Sequence, residues 1–240
     1  MQTQLWSGRW RGNTPAGDTH KRSREIVLPT GGIMRGKFPS RKNGRVVHHE
    51  GLLELDAIYL FEISPQISRY REQPDRYFYP DGDRVRRYTP DFELHLFDGT
   101  LAWVEIKPTR YLQGLDIAHR FECVAEHMGR NAKPFTILTE LVLRQEPRQT
   151  NVRTIWQRAD RVPLEHALIK ATLRRCAGQL PACLADATAL LSTEGMNVFS
   201  LMLQGYLQCD LDKALCSDSL ITLSTEAKDG WFWLSQEHRF

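Results

Sequence analysis

Apolar residues recur at helical spacing through residues 52–63, LLELDAIYLFEI, with Leu53, Ala57, Leu60 and Phe61 on one side and Glu54 near the start. The pattern predicts a helix, followed by an extended stretch over residues 67–79. Next come two strand-like runs, FELHLF and LAWVEI, joined by Asp98-Gly99-Thr100. A second helical stripe (Ile117, Phe121, Val124, Ala125, Met128) runs through residues 115–128, and FTIL at 135–138 reads as a further short strand. Strands with helices before and after them point to an α/β fold, a mixed sheet covered on its faces by helices.

Beyond about Thr150 the spacing changes. Residues 163–176 and 182–191 read as helices, Ser192-Thr193-Glu194-Gly195 as a turn, and residues 196–204 as a third helix. Short strands are predicted at 206–209 and 220–223. This order suggests a smaller, mostly helical, winged-helix-like unit over residues 149–240. Its third helix, MNVFSLMLQG, has no Lys or Arg. A helix that reads a DNA groove needs donors for phosphates and base edges, so the unit suits a protein partner better. The closing WFWLSQEHRF reads either as a docking tail or as a plug on its own core.

The central hairpin has charge at its outer ends: Asp91 on one arm, Glu105 and Lys107 on the other. Side chains alternate along a strand, so the three share a face only if paired residue numbers add to an even total. A three-residue loop Asp98-Gly99-Thr100, with Phe97 opposite Leu101, gives that parity; a two-residue Asp-Gly loop does not. One face then holds Phe92, Leu94, Leu96, Ala102, Val104 and Ile106, all apolar. The other holds Asp91, Glu93, His95, Trp103, Glu105 and Lys107. Pro90 and Pro108 bracket the pair at positions where a strand tolerates proline.

Acid and lysine pairs decorate many solvated sheet faces, but two carboxylates about 4 Å apart repel by roughly 4 kcal/mol at an effective dielectric near 20. A hard divalent cation relieves that repulsion. Mg²⁺, with Mn²⁺ as a substitute, takes carboxylate oxygens and leaves positions for water and phosphate. Lys107 on the same face is placed to orient water or to stabilise negative charge developing on a phosphate.

Composition is that of an ordinary globular chain, with 41% hydrophobic and 25% charged residues in 240. No apolar run approaches the roughly 18 residues of a membrane span, and MQTQLWSGRWRG lacks a signal-peptide core. A cytoplasmic protein without membrane partners is expected. The five cysteines, Cys123, Cys176, Cys183, Cys209 and Cys216, include no C-x-x-C and suit reduced thiols better than disulfides or zinc. Charge is uneven: residues 1–45 carry ten Lys and Arg against Asp18 and Glu25, about +8, which leaves about −5 for the rest of a chain of net charge +3. This reads as a basic N-terminal arm that follows a phosphate backbone, with Arg9, Arg11, Arg35, Lys37, Arg41, Lys42 and Arg45 as DNA contacts. The alternative is a solvated tail, with Trp6 and Trp10 packed on the protein's own surface.

Taken in order, GRVVHHEGLLELDAIYLFEI, YREQP, YTPDF and VEIKP resemble the TnsA family, the endonuclease subunits of heteromeric cut-and-paste transposases of the Tn-seven type. The wider likeness is to the PD-(D/E)xK restriction-endonuclease-like superfamily. It implies a nuclease domain over residues 46–148. It also implies Glu54 as the helix-borne acid, Asp91 and Glu105 as metal-binding carboxylates, Lys107 as the active-site lysine and the Ile106 carbonyl as a further oxygen ligand. Glu62, two turns along the helix, competes with Glu54. The implied reaction is hydrolysis of double-stranded DNA at the 5′ ends of a transposon, beside an integrase-fold transposase and an AAA+ ATPase regulator that engages the C-terminal part. A stand-alone restriction or repair nuclease is the alternative, and an idle DNA-binding scaffold a third reading. His48 and His49 point opposite ways in an extended segment, which disfavours a shared ion. Arg71, Glu72 and Gln73 read either as links between helix and sheet or as DNA contacts near the site.

Overall fold

The computed structural model describes Ser23, residues 35–224 and residues 231–240. The expectations for Trp6, Arg9, Trp10 and Arg11 lie outside the described residues. The chain opens with an antiparallel hairpin, β1 (Gly36–Ser40) and β2 (Arg45–His49), followed by α1 (Leu52–Ile63) and β3 (Ile67–Glu72). A second hairpin, β4 (Tyr77–Asp81) and β5 (Arg84–Tyr88), leads into β6 (Phe92–Leu96) and β7 (Leu101–Ile106). Then come α2 (Thr109–Leu112), α3 (Leu115–Arg130), β8 (Phe135–Leu138), α4 (Glu140–Leu143) and α5 (Arg148–Arg158). The last part holds α6 (His166–Cys176), β9 (Ala182–Cys183), α7 (Leu184–Thr193), α8 (Val198–Leu203), β10 (Leu207–Gln208) and β11 (Leu220–Leu223).

The main sheet runs β3-β6-β7-β8, antiparallel except for the β7–β8 pair. A parallel neighbour needs a crossover, and α3 supplies it. The fold is therefore mixed α/β, a mixed sheet flanked by helices. On one face, Phe92, Leu94, Leu96, Ala102, Val104 and Ile106 join the buried side of α1, as the alternation predicts. The other face is not an open polar surface. Trp103 lies there under Phe121, Val124 and Met128 of α3, with Tyr79 and Tyr88 from the second hairpin closing the cluster. Ala125, predicted on this stripe, is exposed.

The β6–β7 register corrects the loop but keeps the parity. Phe92 pairs with Val104 and His95 with Leu101, and Leu96 N–H donates to the Thr100 carbonyl at 2.9 Å. The three loop residues are thus Phe97, Asp98 and Gly99, one position earlier than the sequence suggests. Gly99 N–H closes a turn on the Leu96 carbonyl at 3.1 Å, and Gly99 itself adopts φ +88°. The left-handed residue belongs at the end of such a loop, and glycine enters that region without a Cβ penalty. Gly99→Ala is expected to cost about 1–2 kcal/mol, read as a lower urea midpoint at unchanged m-value.

Residues 36–45 do not form an arm. They make β1, its turn and the first residue of β2, and Phe38, Val46 and Val47 are buried. The core that begins with Phe38 and Val47 continues through α1 and α5 into α6, α7 and α8 and ends at Phe240. One apolar cluster therefore spans the chain on both sides of residue 148. In the last part, β10, β11 and β9 form a small antiparallel sheet beside α6, α7 and α8. Ala182 and Cys183, predicted as the start of a helix, form its edge strand instead. In the closing segment Phe232, Leu234 and Phe240 are buried and Trp231 Nε1 donates to the Cys209 carbonyl, so it covers the core.

Candidate active site

Asp91 lies one step beyond the Phe92–Val104 pair, where the register sets it against Glu105. Its Oδ2 accepts the Ile106 N–H at 2.8 Å. Glu105 is buried, its Oε1 at 3.3 Å from Lys107 Nζ and its Oε2 accepting the Tyr88 hydroxyl at 2.7 Å. Glu54, in the first turn of α1, accepts the Glu50 backbone N–H at 2.8 Å. The Asp91 carboxyl is held well above the usual carboxylate range, first by burial, then by the negative charges of Glu105 and Glu54; the Ile106 N–H and Lys107 oppose them. Glu54 of α1, Asp91 just before β6, Glu105 of β7 and Lys107 just after it thus act on one another at one margin of the sheet. Among the described residues these three carboxylates do not all come within 4.8 Å of one another.

The carboxylate oxygens suit a hard divalent ion, and a buried acid raised by its acidic neighbours is a site that a cation would relieve. The Ile106 N–H is committed to Asp91, and the next peptide, which carries the Ile106 carbonyl expected as a ligand, is held by the Lys107 N–H donating to the Leu138 carbonyl at 3.1 Å.

Glu62 is built into the other end of α1. It accepts Ser40 Oγ at 2.5 Å, the Tyr70 hydroxyl at 2.7 Å and the N–H groups of Arg41 and Lys42 at 2.9 and 3.3 Å. It ties the first hairpin to the helix, and Glu54 is the helix acid that faces Asp91. Three of the predicted DNA contacts are likewise internal. Arg45 forms a bidentate pair with Glu72, at 3.0 and 2.6 Å, with both side chains buried. Lys42 Nζ donates to the Phe61 and Ser64 carbonyls, both at 2.7 Å, capping the C-terminus of α1; burial pulls its pKa down to about 7. Arg41 donates to the Trp156 carbonyl and stacks 4.4 Å over its ring. By sequence these cations read as DNA contacts on a basic arm, because their partners, Glu72, the end of α1 and Trp156, are remote in the chain. Arg35 and Lys37 stand at the start of β1, with Lys37 exposed.

The RYREQ segment is structural. Arg71 pairs with Glu93 at 2.7 and 2.9 Å, Glu72 holds Arg45 and the His48 N–H, and Gln73 N–H donates to the Asp91 carbonyl at 2.8 Å. His49 Nδ1 lies 3.0 Å from the Gly51 carbonyl, and burial lowers its pKa. Its ring lies against Gly36, where an added Cβ would come within 2.4 Å of Nε2.

Two residues of the site escaped the sequence reading. Tyr88 orients Glu105, and its hydroxyl is raised well above the ordinary range by burial and by Glu105 and Asp91. Arg120, exposed on α3, lies 5.7 Å from the ring centres of both Tyr88 and Phe121. Tyr88 sits in the YTPDF block, but only the β4–β5 hairpin turns it inward. Arg120 is an ordinary solvent-facing position by helical spacing.

No family model matches the chain, and no curated protein matches it.

Proposed function

We propose that this protein is a metal-dependent DNA endonuclease of the PD-(D/E)xK class. On this reading it is a TnsA-like subunit of a heteromeric cut-and-paste transposase that hydrolyses phosphodiesters at the 5′ ends of the element. The observation that carries the reading is the convergence of Asp91, Glu105 and Lys107 at one sheet margin, with Glu54 acting on Asp91 from α1. The order helix, strand, hairpin, crossover helix and parallel strand is compatible with a restriction-endonuclease-like core. The α6-β9-α7-α8-β10-β11 order, with a three-stranded sheet, supports a winged-helix-like module. Its α8, VFSLML, is mostly buried and carries no cation, which favours a protein partner such as an AAA+ ATPase regulator over DNA.

Asp91 and Glu105, with Glu54 directly or through water and the Ile106 carbonyl, would hold Mg²⁺ or Mn²⁺. When bound, the ion supplies positive charge against the nonbridging phosphate oxygens and makes water a better nucleophile. Tyr88 fixes the Glu105 carboxylate. Lys107 orients the attacking water and stabilises charge on the phosphoryl group; as the new P–O bond forms in line, the bond to the leaving 3′ oxygen breaks. On this reading the exposed Arg87, Arg110 and Arg120 would meet the DNA backbone.

Purified chain incubated with supercoiled DNA and Mg²⁺ or Mn²⁺, alone and with an integrase-fold transposase and ATPase on element ends, tests the reading. Nicking confined to the assembly supports it. Cutting by the chain alone points to a stand-alone nuclease, and transposition unchanged in Asp91→Ala removes the catalytic role. Because ligation requires Asp91 to lose its proton, Mn²⁺ affinity should rise with pH, by up to about tenfold per unit while Asp91 remains protonated. Calorimetric titration at several pH values checks the slope.

A further inference from the structure

Away from the carboxylate site, three side chains of different chemistry meet where the second hairpin touches α3. His119 and Cys123 are four residues apart on α3, so their side chains share one face of the helix. Asp81, the last residue of β4, reaches across to them. His119 Nε2 lies 2.9 Å from Asp81 Oδ1 and 3.6 Å from Cys123 Sγ, and one ligand atom from each residue falls within 4.8 Å of the others. Among the described residues this is the grouping of His, Cys, Asp and Glu that closes so tightly.

The spacing can be compared with what an ion would impose. Tetrahedral zinc, with bonds of about 2.0–2.1 Å to nitrogen and oxygen and about 2.3 Å to sulfur, sets N···S edges near 3.6 Å and N···O edges near 3.4 Å. The observed N···S distance already matches, and the N···O distance needs to open by only about 0.5 Å, within reach of an exposed imidazole. The other carboxylate oxygen, Asp81 Oδ2, is held by Arg86 Nε. That leaves Oδ1 aimed at the histidine and gives the carboxylate the outer partner that metal-bound acids usually have.

We propose that Asp81, His119 and Cys123 form a site for Zn²⁺ or a similar thiophilic divalent ion, with water in the fourth position. Thiolate, imidazole and one carboxylate oxygen make a donor set that prefers zinc or cobalt to magnesium. Binding exchanges the Cys123 S–H bond for an S–Zn bond and releases the proton to solvent. The ion would staple the β4–β5 hairpin to α3, and that hairpin delivers Tyr88 to Glu105. The site stands independently of the nuclease reading, because its ligands and its preferred metal both differ.

Titrating the full chain with Co²⁺ reads the site directly. One equivalent should bind with visible d–d bands of tetrahedral intensity and a thiolate-to-cobalt charge-transfer band, and Zn²⁺ should displace it. Cys123→Ser should abolish the charge-transfer band. His119→Ala should lower zinc affinity by at least about 100-fold, the upper end of what loss of an outer-shell partner alone costs. Zinc should also raise the melting temperature of the wild type but not of either variant. Both substitutions are at positions that are not buried, and circular dichroism checks that each variant folds. A charge-transfer band that persists in Cys123→Ser, or no uptake at micromolar zinc, overturns the proposal.

Discussion

Asp91→Asn is expected to make the metal-free protein more stable while, on the proposed function, lowering metal-dependent DNA cleavage by roughly 10³-fold or more, on the scale of losing a principal electrostatic group. The two effects have one origin. Asp91 is buried, and its carboxyl is pushed well above the ordinary range by that burial and by the charges of Glu105 and Glu54. Its proton is therefore held more tightly in the folded chain than in the unfolded one. The stability that this proton contributes is fully present below the unfolded pKa and is lost as pH rises through the raised folded value. The amide of asparagine carries no charge to lose, and its oxygen can still accept the Ile106 N–H. A gain of about 1–2 kcal/mol is expected at neutral pH and above, vanishing under acid, as measured by urea denaturation across pH without divalent ions. Equal stability of the two proteins at every pH would mean that Asp91 is not under acidic pressure, and the case for a cation at this site would lose its physical basis.

Arg45→Ala should lower the stability of the fold rather than remove a contact to DNA. Arg45 and Glu72 are both buried and joined at 2.6 and 3.0 Å, and Glu72 also accepts the His48 N–H. Removing one partner leaves an uncompensated charge in the interior, at a cost of about 3–5 kcal/mol. A phosphate-contacting arginine behaves differently: its loss leaves stability within about 0.5 kcal/mol and lowers the salt dependence of DNA binding by about one counterion. Denaturation and salt-dependent binding on the same variant separate the two roles. Unchanged stability with a reduced salt slope would restore Arg45 to the DNA surface.

Much of the carboxylate margin was legible because it rests on local rules. Strand alternation put Asp91, Glu105 and Lys107 on one face, and that parity survives although the loop slips by one residue. The slip came from seating Gly99 in the middle of the loop, when a left-handed residue belongs at its end. The span of α1 was also legible, since an apolar run of its length bounded by Gly51 and Pro65 has few other readings. The first hairpin was not. Its turn and second strand carry basic residues that look solvated until Glu62, Glu72 and the carbonyls ending α1 arrive from elsewhere in the chain. The polar face of the main hairpin misled in the opposite sense. Trp103 and the YTPDF tyrosine lie beneath α3, so the acids occupy a narrow margin rather than a broad charged surface.

The helix that carries Glu54 is also the member on which the second half of the chain leans. Buried residues of α5 and α8 pack into the same cluster as Ala57, Leu60 and Phe61, and Asp56 of α1 is clamped by Arg144 at 2.6 Å and by Arg153. A force applied by a companion molecule to α5 or α8 would thus travel through close packing to the root of Glu54. On the proposed function, a partner that grips these helices would tilt an acidic group against the sheet, which couples assembly to cutting through packed side chains.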